Sequence, residues 1–354
     1  MKRKTTLAGG AAALFFCVGL LVAGCGSDQS RQTGATGSSG SSSSVVGENL
    51  DGNLDVDGSA SVYPILNQMG EDFGAAHPDV KVKISKSGTT SGFQKFLRGD
   101  IDIAAASRSI EANEDATLQA KGIEYLEIPI AYDGVSVVVN PANSWATSLT
   151  MDELKRAWNS ASSIQNWSDI RPTFPNVKIN FYGPTDNHGT YEYFTEAVTG
   201  SKDDIRKDCQ KNQEYPAIVQ SVSGDKGAIA YMSFNYYDQN KDKLKVVPID
   251  SGKGPVVPSA SSIADGTYTP LSRPLFLYVT KKAYDTQPQI KAFIQFTMSE
   301  SGDRAVTDSS YVTLPKDLRQ AVLKHVASEK TGTLFKGVTP GTKLSDLYAR
   351  VAGK

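Results

Sequence analysis

The sequence predicts an α/β protein built on mainly parallel sheets. Three observations predict it. Strand-like apolar runs alternate with runs of helical spacing. The strand-like runs end in turns of Gly, Ser, Thr or Asn that lead into the next helix. The chain has 354 residues, 39% of them hydrophobic, enough for two ordinary domains and a large core.

The elements follow in order. Leu54 to Gly58 reads as a first strand, and Tyr63 to Ala75 as a helix, with Tyr63, Leu66, Met69 and Phe73 at helical spacing. Val80 to Ile84 alternates like a strand. The turn Gly88-Thr89-Thr90-Ser91-Gly92 then leads into a helix over Phe93 to Leu97, and Ile101 to Ala106 is a short apolar strand. Ile123 to Ile130 and Val135 to Asn140 read as two further strands. Thr150, with Glu153 three residues on, marks a capping box for a helix ending at Trp158. Val177 to Tyr182 is a strand, and Tyr191 to Val198 a helix. Residues 201–258 read as a polar helix plus a strand over Ala228 to Met232. Ala283 to Met298 and Leu314 to Val326 read as helices.

The N-terminus is unlike the rest. Lys2, Arg3 and Lys4 precede an uncharged run of apolar and small residues from Leu7 to Ala23, the layout of a secretory signal. The run ends in Val22-Ala23-Gly24-Cys25. Small residues before a Cys resemble the bacterial lipobox, which implies a signal over residues 1–24 and a diacylated Cys25; the alternative is an uncleaved membrane helix. Residues 25–49, rich in Ser and Gly, read as a flexible tether. Removing 24 of the 354 residues leaves 330, and loss of the three basic residues takes the net charge from −1 to −4.

That balance gives no field for nucleic acid. Three Cys and three His are too few for a zinc framework or a disulfide scaffold. Cys209 would be the one thiol left, in a polar run with no triad beside it. Neither a phosphate loop nor a dinucleotide fingerprint follows the first strand. No cofactor or metal is expected.

Ligands of open α/β sheets collect at the carboxyl ends of the strands. Here those ends hold Ser59 and Ser61, then Thr89 and Thr90, then Ser107 and Arg108, then Asp186, His188, Gly189 and Thr190. Helix N-termini offer unpaired N–H groups at the positive end of the dipole, and small hydroxyl residues leave room for an anion. Each loop also has a plainer reading. Ser59, Ser61, the Thr89 turn and Thr190 would simply cap helices, and Arg108 would pair with Glu111 or Glu114.

Taken together, four stretches resemble the phosphate-binding lipoproteins of bacterial phosphate ABC transporters, the PstS family. They are Asp57 to Pro64, Gly88 to Gly92, Asp100 to Arg108 and Asp186 to Thr190; Ile130 to Val135 and Pro270 to Leu275 are also typical, and the match covers roughly residues 50 to 300. The resemblance implies a two-lobed, hinge-closing receptor. One lobe would be formed by 50–131 with 274–354, the other by 132–273, with phosphate held between them. It implies contacts from Ser61, the Val62 N–H, Thr89, His188, Gly189 and Thr190. It also implies ABC permease partners, a lipid-anchored location on the extracytoplasmic face, and a monomer.

Two departures matter. Many members carry an Asp where this chain has Ser107, and an Arg where it has Pro184. The resemblance then assigns the positive charge to Arg108, which suits a bidentate grip on two oxygens. A carboxylate that reads the phosphate proton would have to be Asp133 or Asp186, unless these cap a hinge strand and a turn. His188 stands in a Ser slot and is expected to donate to the anion, with affinity weakening as pH rises. Competing readings are a receptor for sulfate or molybdate, a phosphate sensor or adhesin, and a secreted phosphatase using Ser61 or Thr90. The phosphatase reading lacks a persuasive base among His77, His188 and His325.

Overall fold

A computed structural model describes residues 50–202 and 204–352. The expected signal, Cys25 and the tether lie outside the described residues.

The first half opens with the predicted alternation. Strands β1 (Gly52–Gly58), β2 (Val80–Ile84) and β3 (Ile103–Ala106) lie in parallel around a central β1, linked by helices α1 (Tyr63–Ala76) and α2 (Thr89–Arg98). Helix α1 buries Ile65, Leu66, Met69, Gly70 and Phe73, an apolar stripe facing the sheet. Helix α3 (Ala112–Ala120) is a helix the sequence does not advertise. Leu118 is the one large apolar residue it buries, and a capping box between Glu111 and Glu114 marks its start.

Strand β4 (Tyr125–Val139) is a single strand of 15 residues where two were expected. Asp133 and Gly134 look like a break in the sequence, yet pairing to a partner strand carries the chain through them. After a short β5 (Leu149–Thr150), helix α4 (Met151–Trp158) has the predicted capping box: Thr150 Oγ1 accepts from the Glu153 N–H at 3.1 Å, and Glu153 accepts in return from the Thr150 N–H at 2.9 Å. The second half continues with α5 (Trp167–Ile170), β6 (Asn180–Pro184), α6 (Gly189–Thr199), β7 (Gln210–Asn212), α7 (Tyr215–Gly224), β8 (Ala228–Ser233) and α8 (Phe234–Asp238). Within residues 201–258, read as a polar helix plus a strand over Ala228 to Met232, the strand is present as β8, and the rest resolves into several short elements ending with β9 (Lys245–Val246), β10 (Ile249–Asp250) and β11 (Pro255–Val256); α9 (Ala260–Ala264) follows.

Strand β12 (Ser272–Thr280) returns to the first half. It is followed by α10 (Lys281–Thr286), α11 (Pro288–Thr297), α12 (Glu300–Asp308), α13 (Lys316–Ala327) and α14 (Leu344–Ala352). The helix expected over Ala283 to Met298 is two helices, because Pro288 lacks an N–H and starts a new one.

The main sheet has the order β2-β1-β3-β12-β4-β8-β6-β7, with β9 also on β4. Two parallel groups, β2-β1-β3 and β8-β6-β7, are joined by the antiparallel pair β12 and β4. Two cores flank this junction. One collects Phe73, Phe293 and Val322 with the first strands; the other holds Trp158, Phe194 and Tyr231, with Phe194 and Tyr231 stacked at 3.8 Å. Tyr132 on β4 packs against both. This is a two-lobed α/β fold whose lobes meet at the β4/β12 crossing. The β4/β12 register sets Asp133 directly opposite Arg273.

Candidate functional site

The site forms where loops from both lobes meet. In the first lobe β1 ends at Gly58, which has a φ of 142° and sits where a Cβ would lie 2.1 Å from the Ala105 carbonyl. Ser59 follows. Its Oγ accepts from the Ser61 N–H at 3.1 Å and the Val62 N–H at 3.3 Å, and donates to Ser107 Oγ at 3.0 Å. The Val62 N–H, expected to face a ligand, is therefore spent on this turn. Ser61 Oγ lies 3.1 Å from Thr190 Oγ1, across the lobes. At the start of α2, Thr89 Oγ1 accepts from the Ser107 N–H at 3.3 Å and lies 3.3 Å from Ser107 Oγ. All four of these hydroxyl residues, Ser59, Ser61, Thr89 and Ser107, are buried.

The second lobe contributes the start of α6. His188 is its N-cap, and Nδ1 accepts from the Thr190 N–H at 3.2 Å. The ring is buried edge-on to Tyr215, at 5.1 Å. Burial, and secondarily the positive charge of Arg273, pulls the His188 pKa down to about 3, so the ring is neutral at physiological pH. With Nδ1 accepting, the ring proton sits on Nε2, which is buried with no partner among the described residues. The ring is thus a neutral cap that retains one donor, the Nε2–H. At Gly189 a Cβ would lie 2.4 Å from Ser107 Oγ and 2.6 Å from Thr89 Oγ1. Only glycine lets the two loops approach this closely. Thr190 Oγ1 accepts from Tyr215 Oη at 2.7 Å and from Arg273 Nη2 at 2.7 Å.

Arg273 sits at the centre of this ring, a residue to which the sequence reading gave no role. Its side chain and that of Asp133 are both 0% exposed, and they pair at 2.8 Å. Nη2 also reaches Ser61 Oγ at 3.3 Å, and Nη1 donates to the Ser107 carbonyl at 3.2 Å. Asp133 is held in turn by Ser233 Oγ at 2.7 Å and the Phe234 N–H at 3.2 Å. Arg273 thus touches both lobes and faces one carboxylate and three neutral oxygens. Its signal in the sequence was a lone Arg entering an otherwise apolar strand, a charge that must find a partner to be buried.

Arg108 is built differently. Its Nη1 and Nη2 grip Glu114 at 2.8 and 2.9 Å, Glu111 lies 3.4 Å from Nη2, and Nε donates to Glu192 of α6. Phe93 lies under the guanidinium at 4.7 Å. These carboxylates push its pKa up and cancel its charge. The plainer expectation, pairing with Glu111 or Glu114, describes it well. Thr90 Oγ1 donates to the same Glu192, so Thr90 belongs with Arg108 rather than with the central hydroxyls. Asp186 is not brought in: its carboxylate is 69% exposed and pairs with Lys211. Cys209 is buried, and burial pushes its thiol up to about 12, which leaves it protonated and unreactive at neutral pH.

Two lobes hinged at crossed strands, with polar loops closing on one another between them, define the class of two-lobed binding folds. The model of the PBP superfamily domain matches residues 32–301. The protein SphX of Synechocystis is 36% identical over 287 residues, which covers 80% of this chain and 85% of that protein. The phosphate-binding protein PstS of Staphylococcus aureus is 40% identical over 269 residues, covering 76% and 80%. Among solved structures, a possible phosphate-binding protein from Planctomyces limnophilus is 39% identical with a TM-score of 0.63, covering 79% of this chain and 99% of that one. A putative phosphate ABC transporter substrate-binding protein with bound phosphate from Clostridium perfringens is 25% identical with a TM-score of 0.64, covering 75% and 100%. The chain belongs to the PBP superfamily, in the family that holds PstS and SphX.

Proposed function

We propose that this protein captures inorganic phosphate between its lobes and delivers it to an ABC permease. Its relatives are substrate-binding proteins, and the role asks for binding and release without chemistry. The observation that carries the reading is the ring around Arg273. The hydroxyls of Ser61 and Thr190 and the Ser107 carbonyl meet a buried guanidinium that has one carboxylate partner, and the Thr89 and Ser107 hydroxyls join each other next to them, at the first turns of α2 and α6. Helix N-termini and neutral donors stabilise a dehydrated anion without surplus fixed charge.

In this reading Ser61, Thr89, Ser107, Gly189 and Thr190 line the anion, Arg273 supplies the cation, and Asp133 aims Arg273. Ser59 and His188 hold the two loops in shape. The lobes are taken as 50–131 with 274–354, and 132–273. The signal and lipobox reading places the protein on the extracytoplasmic face with a lipid anchor, and the family resemblance has it act as a monomer. Among the described residues no helix is long and apolar enough to cross a membrane.

One observation favours a second ligand. Asp133, the better placed candidate to read a phosphate proton, is already committed to Arg273, Ser233 and the Phe234 N–H. An oxyanion without a proton, sulfate or molybdate, would then fit as well. Calorimetry on the full chain decides between them. Phosphate binding with weaker sulfate and molybdate binding supports phosphate; preference for either rival moves the assignment to that anion. Release of product from a phosphate ester would make the protein an enzyme.

A further inference from the structure

We propose that Glu192 is a positioning residue for anion capture, a clasp that holds the lobes shut; the proposal rests on the phosphate reading above. Glu192 lies in the first turn of α6, the same turn that presents Gly189 and Thr190 to the anion. Its carboxylate reaches the first lobe and accepts from Arg108 Nε and Thr90 Oγ1.

The chemistry of Arg108 explains why this contact is built. Within its own lobe, Glu114 takes one N–H from each terminal nitrogen of the guanidinium at 2.8 and 2.9 Å, and the Ser109 carbonyl and Glu111 lie 3.1 and 3.4 Å from those same nitrogens, which leaves Nε as the donor without a partner from that lobe. Arg108 is almost fully buried against Phe93, so an unpartnered Nε–H would carry a desolvation cost. Glu192 supplies the partner, and it comes from the other lobe. A second tie lies beyond the far end of α6, where Lys202 Nζ meets Glu111 Oε1 at 2.8 Å. Two ion pairs, Arg108–Glu192 and Glu111–Lys202, thus cross the lobe boundary, and α6 is held at its first turn and just beyond its last. Separating the lobes must strip Glu192 from Arg108 and Thr90 and strand buried charge. That cost falls on opening, so the clasp slows ligand release. Encounter precedes its formation, so association is left nearly alone.

The test is stopped-flow kinetics of inorganic phosphate on the full chain and two variants. Glu192→Gln keeps size and an acceptor but removes the charge; release is expected about tenfold faster, with association changed less than about threefold. Thr90→Val removes only the hydroxyl donor, and release is expected to rise about threefold. The melting temperature of both variants without phosphate is expected within about 2 °C of wild type, because the clasp acts on the closed form. Unchanged release in Glu192→Gln overturns the clasp while leaving phosphate capture intact. A fall in ligand-free melting with unchanged release gives Glu192 a merely structural role and also overturns it. A wild-type chain that binds no phosphate overturns the functional reading, and the clasp with it.

Discussion

Two arginines lie buried between the lobes, and their surroundings set them opposite tasks. Arg108 is 5% exposed and meets Glu192, Glu114 and Glu111, so its charge is more than cancelled. Arg273 is fully buried and meets one carboxylate, with Ser61, Thr190 and the Ser107 carbonyl as neutral company. The first is a fastening between lobes and the second a cation with capacity for an anion. What counts for binding is the charge left after the neighbours are paired, and a motif does not show that.

The largest expected effect separates the two directly. Arg273→Lys keeps a charge beside Asp133 but loses the fork that spans Ser61, Thr190 and Ser107. Phosphate affinity measured by calorimetry should fall by about 2–3 kcal/mol, roughly 30- to 150-fold. Arg108→Lys, measured in parallel, should cost less than about tenfold. Equal losses would erase the distinction.

Next in size is Gly189→Ala. The added methyl would meet Ser107 Oγ at 2.4 Å and Thr89 Oγ1 at 2.6 Å, so the loops must separate. A penalty of about 1–3 kcal/mol, roughly 5- to 150-fold in affinity, is expected. A variant that binds like wild type would mean the loops do not close this tightly on the ligand.

The smallest effect on affinity is expected at His188. With its pKa held near 3, the ring stays neutral from pH 5.5 to 8.5, and His188→Asn, which preserves a cap acceptor for the Thr190 N–H, should leave the pH profile of phosphate binding unchanged. Stability should behave otherwise. The buried ring has a lowered pKa, so its contribution is fully present above the unfolded value of about 6.5. It is lost as pH falls from there towards 3, at up to about 1.4 kcal/mol per pH unit. Chemical denaturation of His188→Asn should lack this acid slope; an identical slope in both proteins would refute the assignment.

The comparison also shows what was legible in the sequence. The parallel β-α units around β1, the capping box at Thr150 and the loops at Ser59, Thr89, Ser107 and Thr190 all follow from local spacing and turn chemistry. Helix α3 was not legible, because Leu118 is the one large apolar side chain on its buried face. Strand β4 was read as two strands because pairing with β12 overrides a local break at Asp133 and Gly134. The deciding partnerships lie farther apart still. Arg273 finds Asp133 across 140 residues and Arg108 finds Glu192 across 84. Both depend on register and lobe closure, which are tertiary. The sequence puts Arg108 beside a ligand-like Ser107, while the fold spends that arginine on carboxylates and brings in Arg273 from the opposite strand.

The central claim is that Arg273, and not Arg108, is the cation of the anion site. A crystal structure of the full chain grown with inorganic phosphate tests it most directly. The account predicts phosphate oxygens within hydrogen-bonding distance of Arg273 Nη2, Ser61 Oγ and Thr190 Oγ1, with Glu192 still on Arg108. Phosphate held by Arg108, with Glu192 displaced, would contradict it.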